Sequence, residues 1–233
     1  MCSMETARES VEKIIENIQR VFSGKREIIE LALNSLFGGG HLLIVDRPGV
    51  GKTTLARALA ISIGGETKRI QFTPDLLPTD ITGVNIYIQE KGEFRFHKGP
   101  VFTNILLADE INRATPRAQS SLLEAMEESQ VSVDGVTYPL ENPFCVIATQ
   151  NPIEIQGTFP LPEAQLDRFL LSLSIGYPTR EEERRILDDR MERDPISSIG
   201  PVMDAKSVEM IKNTIRNKVH ISDAVKKYIL DIT

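Results

Sequence analysis

The chain has 233 residues, of which 41% are hydrophobic and 26% charged, and its net charge is −6. This length allows one large domain, or one domain with a small appendage. The acidic balance argues against a broad nucleic-acid surface, which carries a basic excess, and no apolar run reaches the roughly 18 residues that span a bilayer. Cys2 and Cys145 provide neither a disulfide framework nor a metal-ligand spacing. We therefore expect a cytoplasmic protein without a membrane segment.

Two amphipathic helices are predicted at the start of the chain. Apolar residues recur at steps of three and four between residues 8 and 22, as on one face of a helix. A second such pattern covers residues 28–37, and three consecutive glycines end it. Each helix is expected to bury its apolar face against a core.

The stretch of residues 42–60, LLIVDRPGVGKTTLARALA, is typical of a strand, a glycine-bearing loop and a helix. The glycines allow backbone N–H groups to converge on a phosphate, and the helix that begins near Lys52 adds its positive end. Lys52 is expected to reach the β- and γ-phosphates, and Thr53 to offer its hydroxyl to Mg²⁺. The predicted nucleotide-binding residues are Pro48, Gly49, Val50, Gly51, Lys52, Thr53 and Thr54.

One position departs from the general pattern GxxxxGK[ST], which has glycine where this chain has Asp46. A carboxylate near phosphates is unfavourable because like charges repel. Asp46 is therefore expected either to point its side chain away from the phosphates or to cap the loop.

Further strands are predicted along the rest of the first 178 residues. They cover residues 69–72, 104–108, 143–148 and 169–173, and the second and third are almost wholly apolar. A long connection with several prolines and glycines occupies residues 73–100. With the strand before the loop, these segments predict an α/β fold with a five-stranded, mostly parallel sheet between helices.

Two local signals lie between these strands. Asp134 and Gly135, flanked by valines, favour a β-hairpin. Thr115 and Pro116 are typical of the first residues of a helix.

Polar residues follow the predicted buried strands. Asp109 and Glu110 come directly after one strand, where Asp109 would hold the metal shell and Glu110 would polarise the attacking water, or where both acids would only solvate a strand end. Asn151 follows the next strand, and it could hold the water or a γ-phosphate oxygen, or form a turn with Pro152. Arg168 alone indicates a surface charge or a partner of a neighbouring acid.

The pattern becomes wholly helical after residue 178. Thr179 and Glu182 form a capping-box pattern ahead of Ile186, and two more helical patterns follow around Val208 and Val225. The predicted domains are therefore an α/β core over residues 1–178 and a helical subdomain over residues 179–233.

The run LADEINRATPRAQSSLLEAMEE, followed by FCVIATQNP and GTFPLPEAQLDRF, resembles the MoxR family of AAA+ ATPases over residues 21–231. The resemblance implies an AAA+ P-loop NTPase core followed by a partial helical lid. It also assigns Lys52 and Thr53 to Walker A and Asp109 and Glu110 to Walker B. Asn151 would be the sensor-1 residue, and Arg168 an arginine finger that acts on nucleotide held by a neighbouring subunit.

The same resemblance implies ATP/ADP and Mg²⁺ as cofactors and a ring, a hexamer, as the assembly. The partner would be a protein client, such as one with a von Willebrand factor A domain, and nucleic acid would not be a partner. Residues 80–98 would form the insert in the second helix of the core. The family's sensor-2 segment, which resembles GASPRA, is absent from this sequence, so the lid is expected to be incomplete here.

Two other functions fit the same motifs. A helicase-like or chelatase-like motor would keep the ATPase and change the substrate. A nucleotide-dependent scaffold would bind ATP and assemble without turnover.

Overall fold

The computed structural model describes residues 3–47, 49–152, 157–177, 180, 184 and 195–232. Its strands are β1 Leu42–Val45, β2 Thr67–Gln71, β3 Gly83–Ile88, β4 Glu93–Lys98, β5 Ile105–Asp109, β6 Gln130–Val133, β7 Val136–Pro139, β8 Cys145–Gln150 and β9 Leu171–Leu173. Five of them form one parallel sheet in the order β2-β5-β8-β1-β9. The predicted α/β fold with a five-stranded sheet is confirmed.

The sheet is buried on both faces, which explains the apolar character of its central strands. All five residues of β5 are buried. Alternate residues of a strand face opposite sides, so Leu42 and Ile44 join one apolar cluster with the N-terminal helices. Leu43, between them, belongs to a second cluster on the other face. The sheet is therefore packed between two apolar clusters, one on each face.

The helices are α1 Met4–Gln19, α2 Arg26–Gly38, α3 Lys52–Ser62, α4 Pro78–Thr82, α5 Pro116–Glu128, α6 Glu163–Leu166, α7 Ala205–Lys218 and α8 Asp223–Ile232. α1 begins earlier than residue 8 because the Ser3 hydroxyl oxygen accepts the backbone N–H of Thr6 and caps it. α2 ends as predicted, with Gly39 in the left-handed region at φ 74°. Thr115 does precede α5, but its side chain makes no capping hydrogen bond.

Two β-hairpins project from the core and contact each other. The long connection predicted between β2 and β5 contains α4 and the antiparallel pair β3–β4, and the Asp134 turn joins β6 to β7. Asn85 Nδ2 donates to Asp134 Oδ2 at 2.7 Å, and the rings of Phe96 and Tyr138 stack with their centroids 4.1 Å apart. The two hairpins therefore form one unit, which we call the hairpin pair (β3–β4 and β6–β7).

The described part of the C-terminal region contains the helices α7 and α8, of which α7 packs on the N-terminal helices while every residue of α8 is exposed. Val208 and Ile211 of α7 are buried in the cluster that contains α1 and α2. The Ser62 carbonyl oxygen, at the end of α3, accepts the backbone N–H groups of Val202 and Met203. The predicted capping box at Thr179 lies outside the described residues, as does the boundary at residue 178, so the division into two domains stays a prediction. Among the residues described, no helix is long and apolar enough to cross a membrane.

Candidate nucleotide site

Three neighbouring strands end at the same edge of the sheet, and the residues after them form the candidate site. β1 pairs in parallel with β8, and β8 with β5. The backbone N–H of Asp46 donates to the carbonyl oxygen of Gln150 at 3.0 Å, which continues the pairing past β1. The glycine loop, Asp109, Glu110 and Asn151 therefore meet at the carboxyl ends of the strands, where open α/β sheets bind ligands.

The loop after β1 has the backbone that phosphate binding requires. Gly49 and Gly51 have φ of 87° and 91°, in the region that favours glycine. A Cβ at Gly49 would meet no atom within 4 Å, so the loop is open on that side, whereas a Cβ at Gly51 would lie 3.2 Å from the Phe22 ring. Val50 is buried, so only its backbone can face a ligand. Pro48 lies outside the described residues.

α3 begins at Lys52, directly after this loop, so the unpaired N–H groups of its first turn lie at the site. Lys52 Nζ donates to the backbone carbonyl oxygen of Asp46 at 3.1 Å, which holds the side chain over the loop. Thr53 and Thr54 occupy the same turn and are half-buried. The structure thus places these three residues at the loop, as the sequence predicts.

The Asp46 carboxylate is turned toward the connection that follows β9. Its Oδ2 accepts the Ser174 hydroxyl at 3.0 Å and the Gly176 N–H at 2.7 Å, and its Oδ1 accepts the Arg47 N–H at 2.8 Å. Burial raises the pKa of Asp46, but the hydrogen bonds from Gly176, Arg47 and Ser174 outweigh it and hold the pKa below its ordinary value. The carboxylate is therefore an ionised acceptor bound to the protein.

Asp109 ends β5 with both carboxylate oxygens bound. Oδ1 accepts the Thr149 hydroxyl at 3.1 Å, and Oδ2 accepts Arg69 Nε at 2.6 Å in an ion pair. Arg69 lies on β2, and its side chain is 58% exposed, against 9% for that of Asp109. A cation or its water that approaches Asp109 Oδ2 therefore meets an oxygen that already accepts an arginine N–H.

Glu110 has a backbone conformation that is uncommon outside glycine, with φ 56° and ψ 49°. Its N–H donates to the Thr149 hydroxyl oxygen at 2.9 Å, which fixes the turn. Its Oε2 accepts Gln71 Nε2 at 2.7 Å and Arg113 Nη1 at 3.0 Å. Such strain is typical of functional sites, and here it directs the side chain toward the end of β2.

Sequence reasoning missed the three side chains that hold these acids, Arg69, Gln71 and Arg113. A signal for two of them was present, because residues 69–72 were predicted as a strand and alternate residues of a strand share a face. The structure places Gln71 directly opposite Asp109 in the pairing of β2 with β5. Without that pairing, the sequence did not relate β2 to the acids.

The other two predicted catalytic residues lie in different surroundings. Asn151 is buried at the end of β8, beside the loop and the acids. Arg168 instead contacts α5, where its Nη1 donates to the Leu123 carbonyl oxygen at 2.9 Å and forms an ion pair with Glu127. The structure therefore brings Asn151 to the site and holds Arg168 on α5.

The side chains at this edge fit Mg²⁺ that is bound together with a nucleotide. Within the described ranges, no group of three or more His, Cys, Asp or Glu side chains is placed to hold a metal. Mg²⁺ commonly uses one or two carboxylates with phosphate oxygens and water. The Asp109 carboxylate is a ligand of that kind, the Thr53 hydroxyl is an oxygen ligand that Mg²⁺ takes at phosphate-binding loops, and the open side of Gly49 leaves room for phosphate.

A glycine loop after β1, two acids after β5 and an amide after β8 are typical of the nucleotide site of an AAA-type ATPase. The model of the ATPase family associated with various cellular activities (AAA) matches residues 41–171. The chain is 31% identical over 235 residues to Protein MoxR of Methylorubrum extorquens, an alignment that covers 97% of this chain and 68% of that protein. The chain belongs to the MoxR family of AAA+ ATPases.

Three other proteins are similar to this chain, and one of them carries the MoxR name. Identity to Chaperone MoxR1 of Mycobacterium tuberculosis is 51% over 178 residues, covering 76% of this chain and 47% of that protein. Identity to the uncharacterized protein YeaC of Bacillus subtilis is 50% over 232 residues, covering 100% of this chain and 72% of YeaC. A crystal structure of a Cytophaga hutchinsonii protein matches with a TM-score of 0.89 and 42% identity, covering 97% of this chain and 68% of that one.

Proposed function

We propose that the chain binds ATP with Mg²⁺ and hydrolyses it to ADP and phosphate in order to remodel or mature a protein partner. The observation that carries this proposal is the meeting of the open glycine loop with Asp109 and Glu110 at one sheet edge. Phosphoryl transfer depends mainly on positioning and on neutralising charge. A loop of N–H donors, a lysine and two acids are the groups that this chemistry needs.

Each side chain has a role that follows from its position. Lys52 exchanges its hydrogen bond with the Asp46 carbonyl oxygen for the β- and γ-phosphate oxygens. Thr53 and Asp109 would hold Mg²⁺, which would neutralise phosphate charge when bound. Glu110 orients and polarises the attacking water, for which it gives up a bond to Gln71 or Arg113. Asn151 holds that water or a γ-phosphate oxygen.

The proposed assembly is a ring, a hexamer, in which Arg168 acts on the nucleotide of the neighbouring subunit. The Arg168 guanidinium contacts α5, and its side chain keeps 35% of its surface exposed. A guanidinium held at a partly exposed position can complete a neighbouring site when two subunits meet. Such an arginine stabilises the charge of the transferring phosphoryl group.

The first test is specific ATPase activity per subunit, measured over a wide range of protein concentration with Mg²⁺. A steep rise with concentration supports a site completed between subunits, and Arg168→Ala should remove that rise while leaving binding to the isolated subunit unchanged. Lys52→Ala should abolish nucleotide binding by calorimetry. Unchanged nucleotide affinity in Lys52→Ala would refute the role of the loop.

The proposed client is a protein, such as one with a von Willebrand factor A domain, and the proposed place of action is the cytoplasm. The support is family membership together with the name of one relative, Chaperone MoxR1. Addition of a purified client should raise the ATPase rate severalfold. Stimulation by duplex DNA instead would favour a helicase-like motor, which the net charge of −6 disfavours.

A scaffold that binds ATP without turnover is the second candidate. This function is favoured because other side chains already occupy both Walker B acids: Arg69 binds Asp109, and Gln71 binds Glu110. The same concentration series separates the two functions. Activity that stays flat near zero while ATP binds would support the scaffold.

A further inference from the structure

Asp46 contacts two parts of the molecule at once. Its backbone carbonyl oxygen accepts Lys52 Nζ at 3.1 Å, inside the candidate nucleotide site. Its carboxylate accepts Ser174 Oγ and Gly176 N–H, outside that site, in the connection that follows β9. The residue that departs from the general loop pattern therefore lies between the phosphate-binding lysine and the segment that precedes the C-terminal region.

The sheet brings these two segments together. β9 pairs in parallel with β1, with Ile44 opposite Leu173, so the chain leaves both strands at the same edge and side by side. Asp46 is the first residue after β1 and Ser174 the first after β9. A carboxylate at position 46 can therefore bind the segment that follows β9, which the glycine of the general pattern could not do because it has no side chain.

Because the Asp46 carboxylate is charged and buried, it needs these hydrogen-bond donors. The Asp46 residue is 7% exposed, and within the described chain its carboxylate is bound by N–H and O–H donors rather than by an ion pair. A buried charge is tolerated only when its hydrogen bonds are complete. Movement of the connection away from residue 46 would leave the carboxylate short of donors, so the two segments are expected to move together.

A second contact joins the same segments. The Arg47 guanidinium lies 5.9 Å from the centre of the Tyr177 ring, a cation–π geometry, and that ring is largely exposed. Two successive loop residues, 46 and 47, thus hold the connection of residues 174–177.

We propose that Asp46 is a positioning residue that couples the phosphate loop to the connection of residues 174–177, so that nucleotide binding at Lys52 is transmitted to that connection. The inference rests on the proposed nucleotide binding. Its physical basis is that Lys52 changes partners when phosphate binds, and the partner it leaves is the backbone oxygen of the same residue whose carboxylate holds the connection. Coupling of this kind is reciprocal: if bound nucleotide stabilises the connection, loss of the carboxylate that holds the connection weakens nucleotide binding.

The test combines ADP affinity with amide hydrogen exchange of residues 174–177, with and without ADP and Mg²⁺. In the unsubstituted protein, ADP should slow exchange of these amides by about fivefold or more. Asp46→Gly should abolish that difference and weaken ADP binding by about tenfold, because every hydrogen bond of the carboxylate is lost. Asp46→Asn, which keeps one acceptor oxygen, should give intermediate values and guards against a general folding defect.

Two nearby serines, one after β9 and one within it, provide a test variant and its matched control. Ser174→Ala removes one donor and should weaken ADP binding by about threefold, with no further loss when it is added to Asp46→Gly. Ser172→Ala changes an exposed serine of β9 and should have no effect.

The outcomes separate the two hypotheses. Failure of the unsubstituted protein to bind ADP would overturn the proposed function and this inference with it. ADP binding with unchanged exchange at residues 174–177 would overturn the inference alone. So would an Asp46→Gly protein that retains both the affinity and the exchange difference.

Discussion

Arg69 should compete with Mg²⁺ for Asp109, and its removal should tighten Mg²⁺ binding. The Arg69–Asp109 ion pair is short, at 2.6 Å, with an exposed arginine and a buried carboxylate. Exposed pairs contribute up to about 1 kcal/mol, and hydrogen bonds to charged groups contribute about 1.5–3 kcal/mol when buried. For a pair of mixed exposure we take about 1 kcal/mol. Arg69→Gln should then lower the Mg²⁺ concentration required by about fivefold.

The assay is the affinity of a fluorescent ADP analogue, titrated at a series of fixed free Mg²⁺ concentrations. The affinity without Mg²⁺ is measured separately, because loss of a cation near the phosphates also weakens nucleotide binding directly. The ratio of the affinities with and without Mg²⁺ gives the effect of Mg²⁺ alone. Arg95→Gln, at an exposed arginine of β4, is the matched control. A Mg²⁺ midpoint in Arg69→Gln that is unchanged or higher would refute the competition.

Three further outcomes are expected. Glu110→Gln should still bind ATP but lower the hydrolysis rate by about 100-fold or more, on the order of 3 kcal/mol in the barrier. A near-normal rate would show that Glu110 is not the group that polarises the water. Glu141→Gln, at an exposed acid, serves as control. Burial lowers the pKa of His41, so the unfolded chain takes up this proton first as the pH falls below about 6.5. The free energy of unfolding should therefore decline below that pH by at most about 1.4 kcal/mol per pH unit. The decline should be smaller in His41→Gln but not in the exposed His97→Gln, and identical urea denaturation profiles for the two variants would contradict it. Asn17→Ala removes hydrogen bonds to Ser62 Oγ at 3.0 Å and to the Gly200 carbonyl oxygen at 2.9 Å. It should therefore lower the free energy of unfolding, measured by urea denaturation, by about 2 kcal/mol. A decrease below measurement error would show that water replaces both bonds.

The parts of the site that are local in the chain were predictable from the sequence. The glycine loop, the start of α3 at Lys52 and the acids after β5 each depend on residues a few positions apart, whose backbone preferences and apolar runs are readable. The strands before them are buried on both faces, so their composition alone separates them from loops.

The remaining features depend on which distant segments meet. Two partners of the Asp46 carboxylate lie at residues 174–176, and one partner of each Walker B acid lies on β2. These contacts follow from the strand order rather than from local pattern. The contact of Arg168 with α5 depends in the same way on the packing between α5 and the residues before β9. The packing of α7 on α1 and α2 likewise has no local signal, because its apolar face does not identify its partner.

The hairpin pair has a consequence for how related chains can diverge. Two contacts of the pair, Asn85 with Asp134 and Phe96 with Tyr138, each join one residue from each hairpin. A substitution on one side leaves its partner without a match, so the two positions of each contact should change together in descendants of a common sequence. The turn at Gly92, which takes no part in either contact, is free to vary in length. The tip of one hairpin could then change without separating that hairpin from the other.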